Sequence, residues 1–115
     1  DGLHHEGIPH PRTFGTYPTF FGEYVREKKW MTLEEAVRKT TALPAQRFKL
    51  EKRGMIKIGY WADITIFSPE EIGTESTYMK PDVTPVGINH VMVNGEWEFF
   101  EGSLTGKQTG IALKN

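Results

Sequence analysis

The spacing of apolar residues changes character twice along the chain. From Thr19 to Lys28, Phe20, Phe21, Tyr24 and Val25 recur at intervals of three and four, which predicts an amphipathic helix. Glu23, Arg26, Glu27 and Lys28 take its wet side, and Thr19 is placed to cap its start. A second helix is predicted from Thr32. Thr32-Leu33-Glu34-Glu35 has the form of a capping box, in which the threonine oxygen serves a free backbone N–H and Glu35 reaches back. Leu33, Ala36, Val37 and Thr40 form its apolar face. Pro44 ends that run or opens a short helical turn from Ala45 to Phe48.

After Lys52 the period shortens to two. Ile56 and Ile58 alternate with Lys57, and Asp63-Ile64-Thr65-Ile66-Phe67 is rich in strand formers before Ser68-Pro69. Glu70 to Gly87 is polar, lacks a period and reads as a surface loop. The sharpest local signal is Asn94-Gly95 between Ile88–Val93 and Glu96–Glu101. That dipeptide tolerates the two positive φ angles of a type I′ turn, so a hairpin is predicted. Asp1 to Pro18, punctuated by Gly2, Gly7, Pro9 and Pro11, reads as a loop. Helices followed by strands give an α+β organisation with a seam near Leu50, dividing residues 1–50 from 51–115.

Composition narrows the classes. A chain of 115 residues suffices for one domain, but a hydrophobic share of 37% is low for a self-sufficient core. A formal net charge of −1 removes the usual electrostatic case for nucleic acid or an anionic membrane. No apolar run has the length of a spanning helix. Cysteine is absent, so disulfides and thiolate metal sites are excluded, and a cytoplasmic setting fits. Asp1-Gly2-Leu3-His4-His5, without methionine, cap or strand, reads as the middle of a longer chain.

Candidate chemistry lies in the first segment. Asp1 can serve as a general base, although Asp-Gly is more plainly a turn. His4, His5, Glu6 and His10 offer enough nitrogen and oxygen for a zinc ion. Adjacent residues of an extended loop point in different directions, however, and the His-Glu-x-x-His spacing is missing, so solvated loop histidines are favoured. His10-Pro11-Arg12 presents a guanidinium fork suited to a substrate carboxylate. On these residues alone, an arginine pinning its own loop to an acidic neighbour is the stronger reading. Phe14, Tyr17, Phe20 and Phe21 are read as packing before pocket, Trp30, Trp61 and Trp97 as core or interface anchors, and Glu51-Lys52-Arg53 as a solvated charge cluster. No catalytic triad, glycine-rich phosphate cradle or complete metal site is present.

One set of motifs runs through nearly the whole chain: Asp1-Gly2, Pro9-His10-Pro11-Arg12, Gly15-Thr16-Tyr17-Pro18 and Gly22-x-Tyr24-Val25-Arg26. Leu33 to Lys39, Leu43-Pro44-Ala45, Arg53-Gly54-x-Ile56-x-x-Gly59-x-x-Ala62-Asp63 and Val93-Asn94-Gly95 continue it. In order and spacing these motifs resemble the N-acyl-D-amino-acid deacylases among the metal-dependent amidohydrolases. Gly59-x-x-Ala62-Asp63 and Val93-Asn94-Gly95 are general to amidohydrolase tails. The stretch from His10 to Gly22 narrows the resemblance to the D-aminoacylase-like branch, against a dihydroorotase- or hydantoinase-like enzyme. Thr19 and Phe14 depart from the pattern, where a basic residue and tyrosine or tryptophan are common, and His4-His5-Glu6 is foreign to it. A stand-alone, non-catalytic β-rich interaction module is the reading from a different class.

The resemblance implies a fold in which residues 1–50 close a (β/α)₈ barrel with its last helices and active-site loop. Residues 51–115 then supply the C-terminal share of a small β-sandwich. It implies that Asp1 ends the eighth barrel strand, where barrel enzymes place catalytic groups. There it would take a proton from a zinc-bound water and pass it to the departing amine. The zinc ligands would lie outside this chain, so none is assigned within it, and His10 and Arg12 would face the N-acyl amino acid substrate. By itself the chain is expected to be inactive and to associate with itself or with the missing N-terminal part, because Leu33, Ala36 and Val37 lack their barrel.

Overall fold

The computed structural model describes residues 12–74, 79 and 84–113, with side chains described from Gly15 onward. The chain forms two compact units. One comprises the residues up to Leu33 together with Phe67–Gly87; the other comprises Glu34–Ile66 and the residues from Ile88 on.

The first unit holds α1 (Arg12–Thr19), which runs directly into a π-helical segment, Phe20–Glu27. Two expectations fail at this point. Residues 12–18 are helix and not loop, and Thr19 is not a cap: its φ and ψ of −63° and −43° are helical and its side chain makes no capping bond. The reason is continuity, since the helix enters Thr19 from α1 and leaves no free turn there to cap. Pro18 lies inside α1 and has no N–H to return to the preceding turn. The widening to π geometry follows it immediately and persists to Lys28, whose N–H bonds the Glu23 carbonyl at 2.9 Å, five residues back. The stripe expected for this helix is real: Phe21 and Val25 are buried, and Ile72, 4% exposed, completes this small core. Ile72 belongs to the stretch read as a plain surface loop. It sits in a turn closed by its own N–H to Ser68 O at 2.8 Å, and that turn is followed by the bridge Gly73–Val86.

The second unit holds α2 (Leu33–Thr40) except Leu33, α3 (Ala42–Arg47) and, except for Phe67, a four-stranded sheet in the order β1 (Ile64–Phe67), β2 (Ile88–Val93), β3 (Glu96–Phe100), β4 (Ser103–Leu104). In α2 Ala36 is fully buried, whereas Val37, expected on the inner face, is exposed. Hydroxyls close its end: Thr40 Oγ1 donates to Ala36 O at 3.1 Å and Thr41 Oγ1 to Val37 O at 2.6 Å. α3 begins three residues earlier than expected, at Ala42, so Pro44 falls in its first turn, where the missing N–H costs nothing.

The hairpin forms as expected, with Asn94 at φ 49° and Gly95 at φ 82° between antiparallel β2 and β3. A bulge interrupts the register between Val91 and Met92. Glu101 and Gly102, at φ 49° and 83°, repeat the same turn geometry and lead into β4. The strand expected at Ile56–Ile58 does not form. These residues are 87% and 102% exposed and have no ladder partner, and a three-residue alternation cut off at Gly59 is too short to hold one. Trp30 and Trp61 are also exposed, so neither is a core residue.

Candidate functional site

Asp1, His4, His5, Glu6 and His10 lie outside the described residues, as does the Arg12 side chain; the Arg12 backbone is the first helical position of α1. What the structure describes is the scaffold that carries this segment.

That scaffold is a helical rod, Arg12–Glu27, seated on the turn 68–74. Three contacts fix it. A β-carbon on Gly15 would lie 3.0 Å from Thr74 Cγ2, and one on Gly22 only 2.6 Å from the Ile72 carbonyl oxygen. Gly22 therefore requires glycine, since backbone stands in the way, whereas at Gly15 the tight neighbour is a side chain. Arg26, the third contact, donates through one guanidinium nitrogen to Pro69 O at 3.2 Å and Ile72 O at 2.6 Å. Its other terminal nitrogen lies 3.7 Å from Glu27 Oε1. Arg26 lines two clefts. One, of about 240 Å³, is walled by Phe21, Val25, Met31, Leu33 and Ile72. The other, of about 200 Å³, is polar and walled by Thr19, Glu23, Glu27 and Thr74. The sequence reading had put Arg26 on a wet helix face. Its two long-range carbonyl partners could not be inferred from helical spacing.

A second network lies wholly in the other unit. Arg53, read as part of a solvated cluster, has a side chain only 10% exposed. It pairs with the Asp63 carboxylate and donates to Asn94 Oδ1 at 2.9 Å, with its guanidinium 5.1 Å from the Trp61 ring centre. The correction has a simple physical basis: a buried guanidinium needs acceptors, and a carboxylate and a turn amide supply them. Asn94 also gives its side-chain amide to Thr109 O at 2.6 Å. Thr109 in turn bonds Glu98 Oε1 through its backbone N–H, 2.7 Å, and its hydroxyl, 2.8 Å. These donors, led by the Thr109 backbone N–H, hold the Glu98 carboxyl below the usual glutamate range. On α2, Arg38 hydrogen-bonds Glu35 through two nitrogens, 2.7 and 3.2 Å, which lowers the Glu35 pKa and raises that of Arg38.

This second network is architectural. It joins the three motif residues Arg53, Asp63 and Asn94 and offers no unoccupied nucleophile or base. Among the described residues, no three His, Asp or Glu side chains are grouped to hold a metal ion.

Comparison with known proteins decides the family. The profile of the Amidohydrolase family matches residues 8–97. The chain belongs to this family. This amidohydrolase chain is 44% identical over 95 residues to an N-acyl-D-glutamate deacylase of Alcaligenes xylosoxydans xylosoxydans, a match covering 83% of the chain and 20% of that protein. It superposes on the crystal structure of D-aminoacylase with a TM-score of 0.92 at 40% identity, over 96% of the chain and 23% of that structure. It also matches N-acyl-D-glutamate deacylase from Bordetella bronchiseptica, complexed with zinc and a phosphonate mimic of the tetrahedral intermediate. That match has a TM-score of 0.85 at 42% identity and covers 90% of the chain and 22% of that structure. The amidohydrolase chain thus spans about a fifth of the length of the proteins it matches.

Proposed function

We propose that this chain is the closing part of a zinc-dependent amidohydrolase that hydrolyses N-acyl-D-amino acids to a D-amino acid and a carboxylic acid. In this reading residues 1–50 end a (β/α)₈ barrel and residues 51–115 contribute to a small β-sandwich. The zinc ligands come from sequence outside the chain. The observation that carries the reading is the D-aminoacylase-like fold, kept at 40% identity across 96% of the chain.

Each assigned residue has a bounded role. Asp1 accepts a proton from the attacking water and returns it to the departing amine nitrogen, so the carboxylate is regenerated in each turnover. His10 and Arg12 receive the substrate carboxylate. Arg12 is the first position of α1, and a helix start favours an anion.

Exposed apolar residues support the incompleteness of the chain. Phe48, Met55, Ile56, Ile58 and Trp61 all stand in solvent within a short span of the second unit. Partner sequence that covers them, or a second copy of the chain, would bury this surface. No helix among the described residues is long and apolar enough to cross a membrane.

The test is turnover by the complete zinc-loaded protein on a panel of N-acetyl-D-amino acids, their L-enantiomers, dihydroorotate and hydantoin. Selective hydrolysis of the D-series is expected. Hydrolysis of the cyclic amides with none of the N-acetyl-D-amino acids would replace this reading with a dihydroorotase- or hydantoinase-like one.

A further inference from the structure

We propose that Arg26 is a positioning residue for this reaction: by gripping the 68–74 turn it holds the helical rod, and with it Arg12 at the rod's first position, where the substrate carboxylate is received. The inference rests on the substrate-side role given to Arg12.

The argument is mechanical and stays within one unit. Arg12 and Arg26 belong to one continuous helical rod, so the grip of Arg26 bears on where Arg12 stands, together with the approaches of Gly15 to Thr74 and Gly22 to Ile72. The seat itself is braced. Ser68 N bonds Gly87 O at 2.8 Å, Ile72 N bonds Ser68 O at 2.8 Å, and Gly73 exchanges both backbone bonds with Val86. Gly87, at φ 82°, lets Ile72 approach so closely that a β-carbon there would lie 2.4 Å from Ile72 N. Against this braced turn the rod's charged attachment, among the described residues, is Arg26. Both hydrogen bonds leave the same Arg26 nitrogen and end on two different carbonyls of the turn, which fixes rotation as well as distance. Apolar contact through Phe21, Val25 and Ile72 holds the rod to the turn but does not define its angle as two directional bonds do.

Arg26 makes these bonds to backbone carbonyls and is a third exposed, so its removal need not unfold the unit. It would leave the rod held by apolar contact and by the Gly15 and Gly22 approaches, which allow a small tilt. A displacement of about 1 Å at a substrate-positioning group can cost on the order of 100-fold in rate.

The experiment compares an N-acetyl-D-amino acid with its carboxamide in the complete zinc-loaded enzyme and reads the ratio of their kcat/KM values. The variants are Arg26→Gln and Arg12→Gln, each with its melting temperature. Loss of folded protein lowers both substrates equally and leaves the ratio alone, whereas misplacement of the carboxylate receiver lowers it. A fall of about tenfold or more in both variants is expected. A fall in Arg12→Gln alone overturns the positioning role and leaves the role of Arg12 standing. A fall in Arg26→Gln alone removes Arg12 as the receiver and overturns the proposal with it. No fall in either overturns both. If Arg26→Gln does not fold, Arg26→Lys keeps the charge but not the planar fork; an intermediate ratio supports the proposal and a wild-type ratio overturns it.

Discussion

Asn94 donates its backbone N–H to Asp63 Oδ1 at 2.8 Å, tying the hairpin turn to the residue that precedes β1. The same carboxylate holds the guanidinium of Arg53, which itself reaches back to Asn94. Residues 53, 63 and 94 are thus closed into one ring of contacts, and the adjoining Gly95 N–H bonds Ala62 O at 3.0 Å.

Breaking this ring should cost stability. Asp63→Ala leaves a nearly buried guanidinium without its counter-charge. Charged hydrogen bonds contribute roughly 1.5–3 kcal/mol. Asp63 is 34% exposed, so solvent screening reduces the expected loss to roughly 1–2 kcal/mol. Thermal unfolding of the complete protein should show a lower midpoint, while Glu51→Ala, an exposed neighbour, should stay within about 0.5 kcal/mol of wild type. Equal midpoints for the two variants would remove the ring from the account of stability.

The Glu98–Thr109 contact should be acid-labile. The folded carboxyl has a lowered pKa, so its contribution is complete above the unfolded glutamate value of about 4.3 and is lost as pH falls through the lower folded value. The Thr109 amide resonance is expected to shift with a midpoint below about 4.3, and Glu98→Gln should abolish that titration. A midpoint at or above the ordinary glutamate value would contradict the assignment.

Legibility from sequence followed locality. The Asn94–Gly95 hairpin was readable because two adjacent residues carry all the turn chemistry. The second turn, Glu101–Gly102, has the same angles but escaped notice because glutamate is an unusual occupant of positive φ. α1 was hidden by Gly15 and Pro18, which look like loop punctuation; Gly15 is explained by the approach of Thr74, distant in the chain but adjacent in space. Arg53 looked solvated because its partners lie 10 and 41 residues further on. The same limit applied to Arg26, whose partners are 43 and 46 residues away. Ile56 and Ile58 had the alternation of a strand but not the length or the partner. Asp1 could be singled out through resemblance alone, since an Asp-Gly pair has no distinguishing local chemistry.

The isolated 115-residue chain should neither hydrolyse N-acetyl-D-amino acids nor behave as a simple monomer. Ile56, Ile58, Trp61 and Phe48 are exposed, and such a surface favours association. Size-exclusion chromatography with light scattering should find species larger than 13.1 kDa. A single monomeric peak would contradict the expected association, and robust zinc-dependent turnover would contradict the need for the rest of the enzyme.

The most direct test of the central claim is Asp1→Asn in the complete enzyme, followed by kcat on an N-acetyl-D-amino acid and by bound zinc in the same preparation. Asparagine keeps the size of the side chain and removes its capacity to carry the proton. The account predicts a loss of kcat of roughly 10²–10⁴-fold with zinc content unchanged; near-normal turnover would contradict it.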